Sequence, residues 1–197
     1  GVPQRKTGEI YKEVQPMMYE LPTSVNVCGT DYDIETDFRA ILDIFCVLED
    51  PDLTGNEKGI GMLGIFYKRF FDMPAEHFGE AVQKCYWFIN GGNDKVCKNA
   101  TKLMDWEKDF PILIAPVNRI AGTEVRSMPY LHWWTFLSYY MEIGDCFFAQ
   151  IVRIRDLKAK GKLKDKADKD FYRRNRDAVD IRTQYSDTEN EIIKAWT

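Results

Sequence analysis

Two histidines, His77 and His132, and five cysteines at 28, 46, 85, 97 and 146 are all that this 197-residue chain offers for imidazole or thiol chemistry. A catalytic triad or a His-based metal site would have to use one of those two imidazoles. His132 stands at a predicted helix start, next to Trp133 and Trp134, with no nucleophile motif beside it. Capping, or a hydrogen bond inside an aromatic cluster, explains it better than general-base work. No two cysteines are close enough for a metal knuckle or a redox CxxC. Their odd number, without a secretion signal, reads as reduced thiols. Asn99-Ala100-Thr101 has the form of a glycosylation acceptor, which means nothing unless the chain is secreted.

Two further patterns imitate ligand loops. Gly59-Ile60-Gly61-Met62-Leu63-Gly64 matches GxGxxG. A dinucleotide site needs a strand before that string, so that the loop delivers phosphate to a helix N-terminus. Here the polar run Thr54 to Lys58 precedes it and no βαβ unit follows, so close packing at a helix entry is the better account. Asp31, Asp33, Glu35 and Asp37 alternate like the first ligands of a calcium loop, but its sixth and twelfth positions hold Thr36 and Leu42. Such a loop requires glycine and glutamate there. A wet strand face accounts for the carboxylates. GxSxG, Walker A and HExxH strings are missing. The expectation is a chain with no cofactor, no metal and no enzymatic activity.

The elements that would position these residues are mostly helical. Apolar residues make up 45% of the chain, enough for a real core, and aromatics 14%, enough to suggest bulky packing or an interaction surface. No apolar run approaches the length of a membrane span, and no apolar segment follows the polar start Gly1-Val2-Pro3-Gln4-Arg5-Lys6. Met17 or Met18 is a candidate natural start, which would make the first 16 residues an extension. Two alternating runs around Gly29, over Val25 to Ile34, predict a β-hairpin. Thr36 or Asp37 then caps a helix carrying Phe38, Ile41, Leu42, Phe45 and Leu48 at helical spacing. A second helix is predicted over Gly61 to Phe71, with Phe66, Tyr67, Phe70 and Phe71 inward. A third follows Pro74 and ends at Gly91-Gly92. A fourth begins near Asp105, is kinked or split by Pro111 and Pro116, and closes at Gly122. A fifth follows Pro129 through Met141, apolar almost all round. A sixth begins near Asp145 and stops at Gly161. A last one runs over about 165–182.

The predicted fold class is therefore mainly α, a multi-helix globular domain with a short N-terminal β-hairpin. Residues 1–20 form a flexible arm, 21–182 the domain and 183–197 a tail. Halves 21–91 and 103–182 would be joined by a mobile polar loop.

Charge is unevenly placed. The chain is net −4, from 27 basic and 31 acidic residues. Arg153 to Arg182 holds twelve Lys/Arg and six Asp, a net of +6, which leaves −10 on the rest. The basic arm could touch an acidic protein surface or nucleic-acid phosphates, or be a solvated helix pair with internal ion pairs such as Asp165 with Lys169. The interleaved aspartates repel phosphates and argue against nucleic acid. The candidate partner-binding residues are Trp133, Trp134, Tyr139 and Tyr140, which cannot all point inward from one helix, together with Arg153, Arg155, Lys158 and Lys160.

Several strings resemble a known family. Leu21-Pro22, the hairpin and Thr36-Asp37-Phe38-Arg39 resemble the opening of the siphophage family called bacteriophage gene product fifteen. Met104-Asp105-Trp106-Glu107-Lys108-Asp109-Phe110-Pro111 is similar to its acidic-aromatic helix start, and Leu131-His132-Trp133-Trp134-Thr135-Phe136 to its HWWxF signature. Ile151-Val152-Arg153-Ile154-Arg155 and Lys164-Asp165-Lys166 resemble the family's pattern after that signature. The similarity covers about residues 18–180; the first 16 residues and the 91–102 loop depart from it. The resemblance implies a tail-morphogenesis protein encoded between the major tail protein and the tape measure protein, the usual place of a tail assembly chaperone. It implies the tape measure protein as partner, other tail proteins as further contacts, a host bacterial cytoplasmic location and no place in the mature virion. The aromatic surplus of 130–148 is expected to supply core plus part of a groove or self-association face, and the lack of a long apolar run argues against a membrane. It carries over no catalytic residue. The rival expectations are a tail completion or connector protein that stays in the virion, and a nucleic-acid-binding regulator using 153–182.

Overall fold

The computed structural model describes residues 19–93 and 102–181. The predicted arm before Tyr19, residues 94–101 of the predicted loop with Cys97 and the Asn99 sequon, and the chain beyond Ile181 lie outside the described residues. Strands β1 (Ser24–Val27) and β2 (Thr30–Asp33) pair antiparallel, with Val27 opposite Thr30. That register leaves a two-residue turn, Cys28-Gly29, and both residues have positive φ, 49° and 81°. A tight right-twisted hairpin demands this geometry. Cys28 takes it at some steric cost, and its N–H and thiol both donate to the Glu80 carboxylate, at 3.1 and 3.2 Å.

Helix α1 (Phe38–Glu49) starts at Asp37, whose carboxylate accepts the Arg39 N–H at 3.0 Å, and buries Phe38, Ile41, Ile44 and Leu48. Helix α2 (Gly55–Phe66) starts six residues earlier than predicted. The reason is a reciprocal capping box: Thr54 accepts from the Glu57 N–H while Glu57 accepts from the Thr54 N–H. The helix consequently ends at Phe66, and Phe70–Asp72 form a short 3₁₀ turn. Phe66, Tyr67 and Phe70 are buried, but Phe71, also predicted inward, is 95% exposed. The GxGxxG string lies inside α2, where it brings two helices together. A Cβ at Gly61 would stand 2.9 Å from a Val47 methyl on α1.

Helix α3 (Phe78–Ile89) ends at Gly91 and Gly92, both at positive φ. Of the two expected outcomes, kink or split, helix α4 (Trp106–Ala121) does not show the split: it continues through Pro111 and Pro116. Each proline removes one backbone hydrogen bond, but Pro111 lies on the exposed face, where water can reach the freed carbonyl, and Leu113, Ile114 and Val117 anchor the opposite face. Helix α5 (Trp133–Met141) begins later than predicted, because His132 is its cap. Helix α6 (Phe147–Ala159) is followed by two helices where one was predicted, α7 (Lys166–Arg174) and α8 (Arg176–Val179), broken at Asn175. The Asn175 amide side chain turns back to the Phe171 carbonyl at 2.9 Å, and its φ of −121° leaves the helical range.

One core of buried side chains runs from Val25 to Phe148, shared by the hairpin and α1 to α6. A second, small core of Ile151, Ile154 and Val179 is flanked by Leu157, Leu163, Phe171 and Tyr172. Half-buried Ile112 of α4 packs against both.

Gly61→Ala is expected to destabilise the protein by about 1–3 kcal/mol despite alanine's better helix propensity, since Val47 is stiff and cannot retreat. Urea unfolding measures this. Adding Val47→Ala, which removes the opposing methyls, should recover part of the loss.

Candidate functional site

Two strings far apart in sequence meet at the centre of the structure. Thr36 to Arg39 runs into α1, and Tyr130 to Trp134 runs into α5. The Phe38 N–H donates to the Leu131 carbonyl at 3.0 Å, and the Trp133 N–H donates to the Thr36 carbonyl at 2.7 Å. The Asp37 carboxylate caps α1 with one oxygen and accepts the Leu131 N–H at 3.0 Å with the other. Arg39 grips the same carboxylate and donates to the Met128 carbonyl at 2.6 Å. His132 caps α5: its Nδ1 accepts the Trp134 N–H at 3.0 Å, which leaves Nε2–H to donate to the Pro22 carbonyl at 3.1 Å. Both ring nitrogens are occupied by the backbone, and the ring is buried. Burial pushes its pKa below the ordinary value, opposed by the bond to Pro22. The other histidine is likewise engaged, with Nδ1 2.8 Å from the Tyr32 hydroxyl.

The aromatic candidates divide. Trp133 is fully buried and its indole N–H donates to the Ile89 carbonyl at 2.8 Å. It is unavailable to a partner. Trp134 is half-buried, with its N–H on the Phe88 carbonyl at 2.8 Å. Tyr139 and Tyr140 are half-buried, and the Tyr140 ring lies 6.0 Å from Trp106 and 6.3 Å from Phe148. Two carbonyls at the end of α3, those of Phe88 and Ile89, thus find their donors on consecutive tryptophans. A helix end needs such donors where water is excluded.

The basic candidates divide as well. Arg155 is 4% exposed and was expected at the surface; it is instead a clasp between the two cores. Its Nη1 and Nη2 meet Asp109, itself 0% exposed, at 2.6 and 2.8 Å. Nη1 also donates to the Leu103 carbonyl at 2.9 Å, Nη2 to the Ala178 carbonyl at 2.7 Å, and Nε to the Val179 carbonyl at 2.8 Å. All five guanidinium donors are satisfied, the condition under which a buried arginine is tolerated. Asp109 also accepts the Asp105 N–H at 2.9 Å, so the clasp holds the start of α4 too. Arg153 pairs with Asp168, Lys158 with Asp180 at 2.5 Å, and Lys160 with Asp156 at 2.7 Å. Every basic candidate therefore faces a carboxylate of its own chain. Asp165 does not pair with Lys169 as expected; it caps α7 by accepting the Ala167 N–H at 2.8 Å.

The exposed apolar side chains were missed by sequence reasoning. Met141 is 69% exposed and Phe147 46% exposed, flanking the turn between α5 and α6. The Phe147 ring lies 5.9 Å from Phe171 of α7. Met141 belongs to the predicted helix that is apolar almost all round, and Phe147 shares one predicted face with Phe148, Ile151, Ile154 and Leu157, so neither stands out as exposed in the sequence. The glycine in that turn, Gly144 at φ 60°, was a signal that the chain reverses there. Among the described residues no group of three or more His, Cys, Asp or Glu could hold a metal ion, and no helix is long and apolar enough to cross a membrane.

Residues 17–114 match the model of a protein family described as bacteriophage Gp15 protein. The match takes in the hairpin, Thr36 to Arg39 and Met104 to Pro111, and stops before the Leu131–Phe136 string. No curated protein and no solved structure matches the chain.

Asp109→Ala should cost about 3–5 kcal/mol in urea unfolding, because it strands a buried guanidinium. Asp156→Ala, which breaks an exposed pair, should change stability by less than about 1 kcal/mol. The His132 ring gives a second expectation. Its folded pKa lies below the unfolded value of 6.5, so the unfolded chain takes up the proton first. The stability it contributes is complete above pH 6.5 and declines as pH falls through the folded value. His132→Asn retains a capping acceptor but cannot titrate. Its unfolding midpoint should fall less steeply than the wild-type midpoint as pH drops from neutral.

Proposed function

We propose that this chain, which belongs to the bacteriophage Gp15 protein family, is a tail assembly chaperone that binds the tape measure protein while the tail tube is built around it. The family match carries the proposal. A tape measure protein is long and helical, and its apolar faces are open to aggregation until the tube encloses them. A protein that covers such faces for a time needs apolar side chains held on a surface that already has its shape, so that little ordering entropy is lost on contact. Met141 and Phe147 supply them, backed by Phe171, and half-buried Tyr140 packs against Phe148 of the same helix as Phe147. The histidines support contact over catalysis, since both rings hold structural hydrogen bonds. The protein works in the host cytoplasm and leaves before the particle is complete.

Co-expression with tape measure fragments tests this. The wild-type chain should keep a fragment soluble and co-purify with it. Met141→Asp with Phe147→Asp should weaken that complex at least about tenfold, as loss of an interface hot spot does, with unchanged circular dichroism. Mass spectrometry of purified virions should not find the chain. A stoichiometric presence there would instead make it a structural tail component.

A further inference from the structure

Four lysines without a described ion pair follow one another from the end of α6 into α7. Arg153, Arg155, Lys158, Lys160, Arg173 and Arg176 each face a carboxylate. Lys162, Lys164, Lys166 and Lys169 have no described carboxylate within ion-pair distance. All four are exposed. Lys166, Lys169 and Arg173 recur at helical spacing, so they line one face of α7. With Lys164 they surround a shallow cleft of about 420 Å³ against Tyr172 and Asp170, the latter paired with Arg173, so the lysines carry its unbalanced charge. Lys166 also opens the helix, where the backbone dipole adds to its positive field.

A complementary acidic surface lies elsewhere on the same chain. Asp43 and Glu49 stand on α1 either side of Cys46. Phe45 stacks on Trp106 at 5.0 Å, which brings Glu107 of the first turn of α4 beside them. Glu49 is answered by Lys102, but Asp43 and Glu107 are exposed and have no described cation within ion-pair distance. The Cys46 thiol registers this field: burial, then Glu107, Asp43, Glu49 and Asp105, push its pKa up.

We infer that copies of this chain associate head to tail, the Lys164, Lys166 and Lys169 face of one meeting the Asp43 and Glu107 face of the next. A second copy is the occupant because the molecule itself carries the matching charge, with the net of +6 over Arg153–Arg182 answered by −10 on the remainder. Nucleic acid fits less well, since Asp165, Asp168 and Asp170 lie among the lysines and repel a continuous run of phosphates, whereas two carboxylates need meet only the lysines. The two faces are different surfaces, so the contact is heterologous and adds copies until a ring closes or a filament grows. It is independent of the chaperone proposal.

Sedimentation of the full chain tests this with two charge-reversed variants, Lys164→Glu/Lys166→Glu/Lys169→Glu and Asp43→Lys/Glu107→Lys. These side chains are exposed and outside the clasp, and thermal melting confirms that each variant folds. The wild-type chain should associate at about 0.01 M salt, where charges act over about 30 Å, and dissociate at about 1 M, where they act over about 3 Å. Each variant alone should associate at least about tenfold more weakly, because its two faces then carry the same charge. An equimolar mixture should associate again, because every face finds one of opposite charge on the other variant. A wild-type chain that is monomeric at low salt, association untouched by either variant, or a mixture that stays monomeric overturns the inference. Binding of a single-stranded oligonucleotide that is abolished by the triple lysine variant, without any self-association, also overturns it and assigns the face to nucleic acid.

Discussion

The Asp109 carboxylate and the Arg155 guanidinium join parts of the chain that have little else in common. Removing a charge pair from water is costly, and the cost is offset only when every lone pair and every N–H finds a partner. Here the partners come from four places: the start of α4, the Leu103 carbonyl, α6, and the carbonyls of Ala178 and Val179 at the end of α8. None of these can shift without stranding a polar atom. The second core, with only three fully buried side chains, is small. The clasp gives it a defined position against the main core, and Ile112, packed on both, supplies the apolar part of the same junction.

A second polar seam, between the starts of α1 and α5, acts in the same way inside the main core. Asp37 and His132 each serve two strings at once, capping one helix and fixing the other string's backbone. The capping bonds cost little because the donors at a helix start lack partners in any case. Their consequence is a rigid floor beneath α5. The half-buried Trp134, Tyr139 and Tyr140 are held on that floor, and Met141 and Phe147 project beyond it. Rigidity of this kind means that any contact made there orders few further side chains.

The charges follow one economy throughout. Carboxylates that can reach a cation within the chain do so: Asp168 with Arg153, Asp180 with Lys158, Asp156 with Lys160. Lys162, Lys164, Lys166 and Lys169, in and just before α7, have no described carboxylate within ion-pair distance. The histidine rings are held by one backbone carbonyl, a backbone N–H and a tyrosine hydroxyl, and the one fully buried cysteine among the described residues, Cys85, is kept in its neutral thiol form by burial. These groups are committed to structure.

Much of this was legible in one dimension. The period of Phe38, Ile41 and Leu48, the alternation across the hairpin and the glycines after Ile89 reflect interactions within a few residues, and such local rules act wherever the chain goes. The capping pair Thr54 and Glu57 was equally local, and reading it would have placed α2 correctly. Arg155 could not be read that way. Its neighbours Arg153 and Lys158 have the same charge and nearly the same spacing, and only the arrival of Asp109, 46 residues away, with three carbonyls makes burial of one arginine tolerable. The same holds for Trp133, fully buried beside the half-buried Trp134, and for Phe70, buried beside the exposed Phe71. Composition and periodicity determined which segments would be helices and that a sizeable core existed. Which member of each pair faces inward was decided by the tertiary structure, because burial of a polar or aromatic group depends on what the rest of the chain brings to meet it.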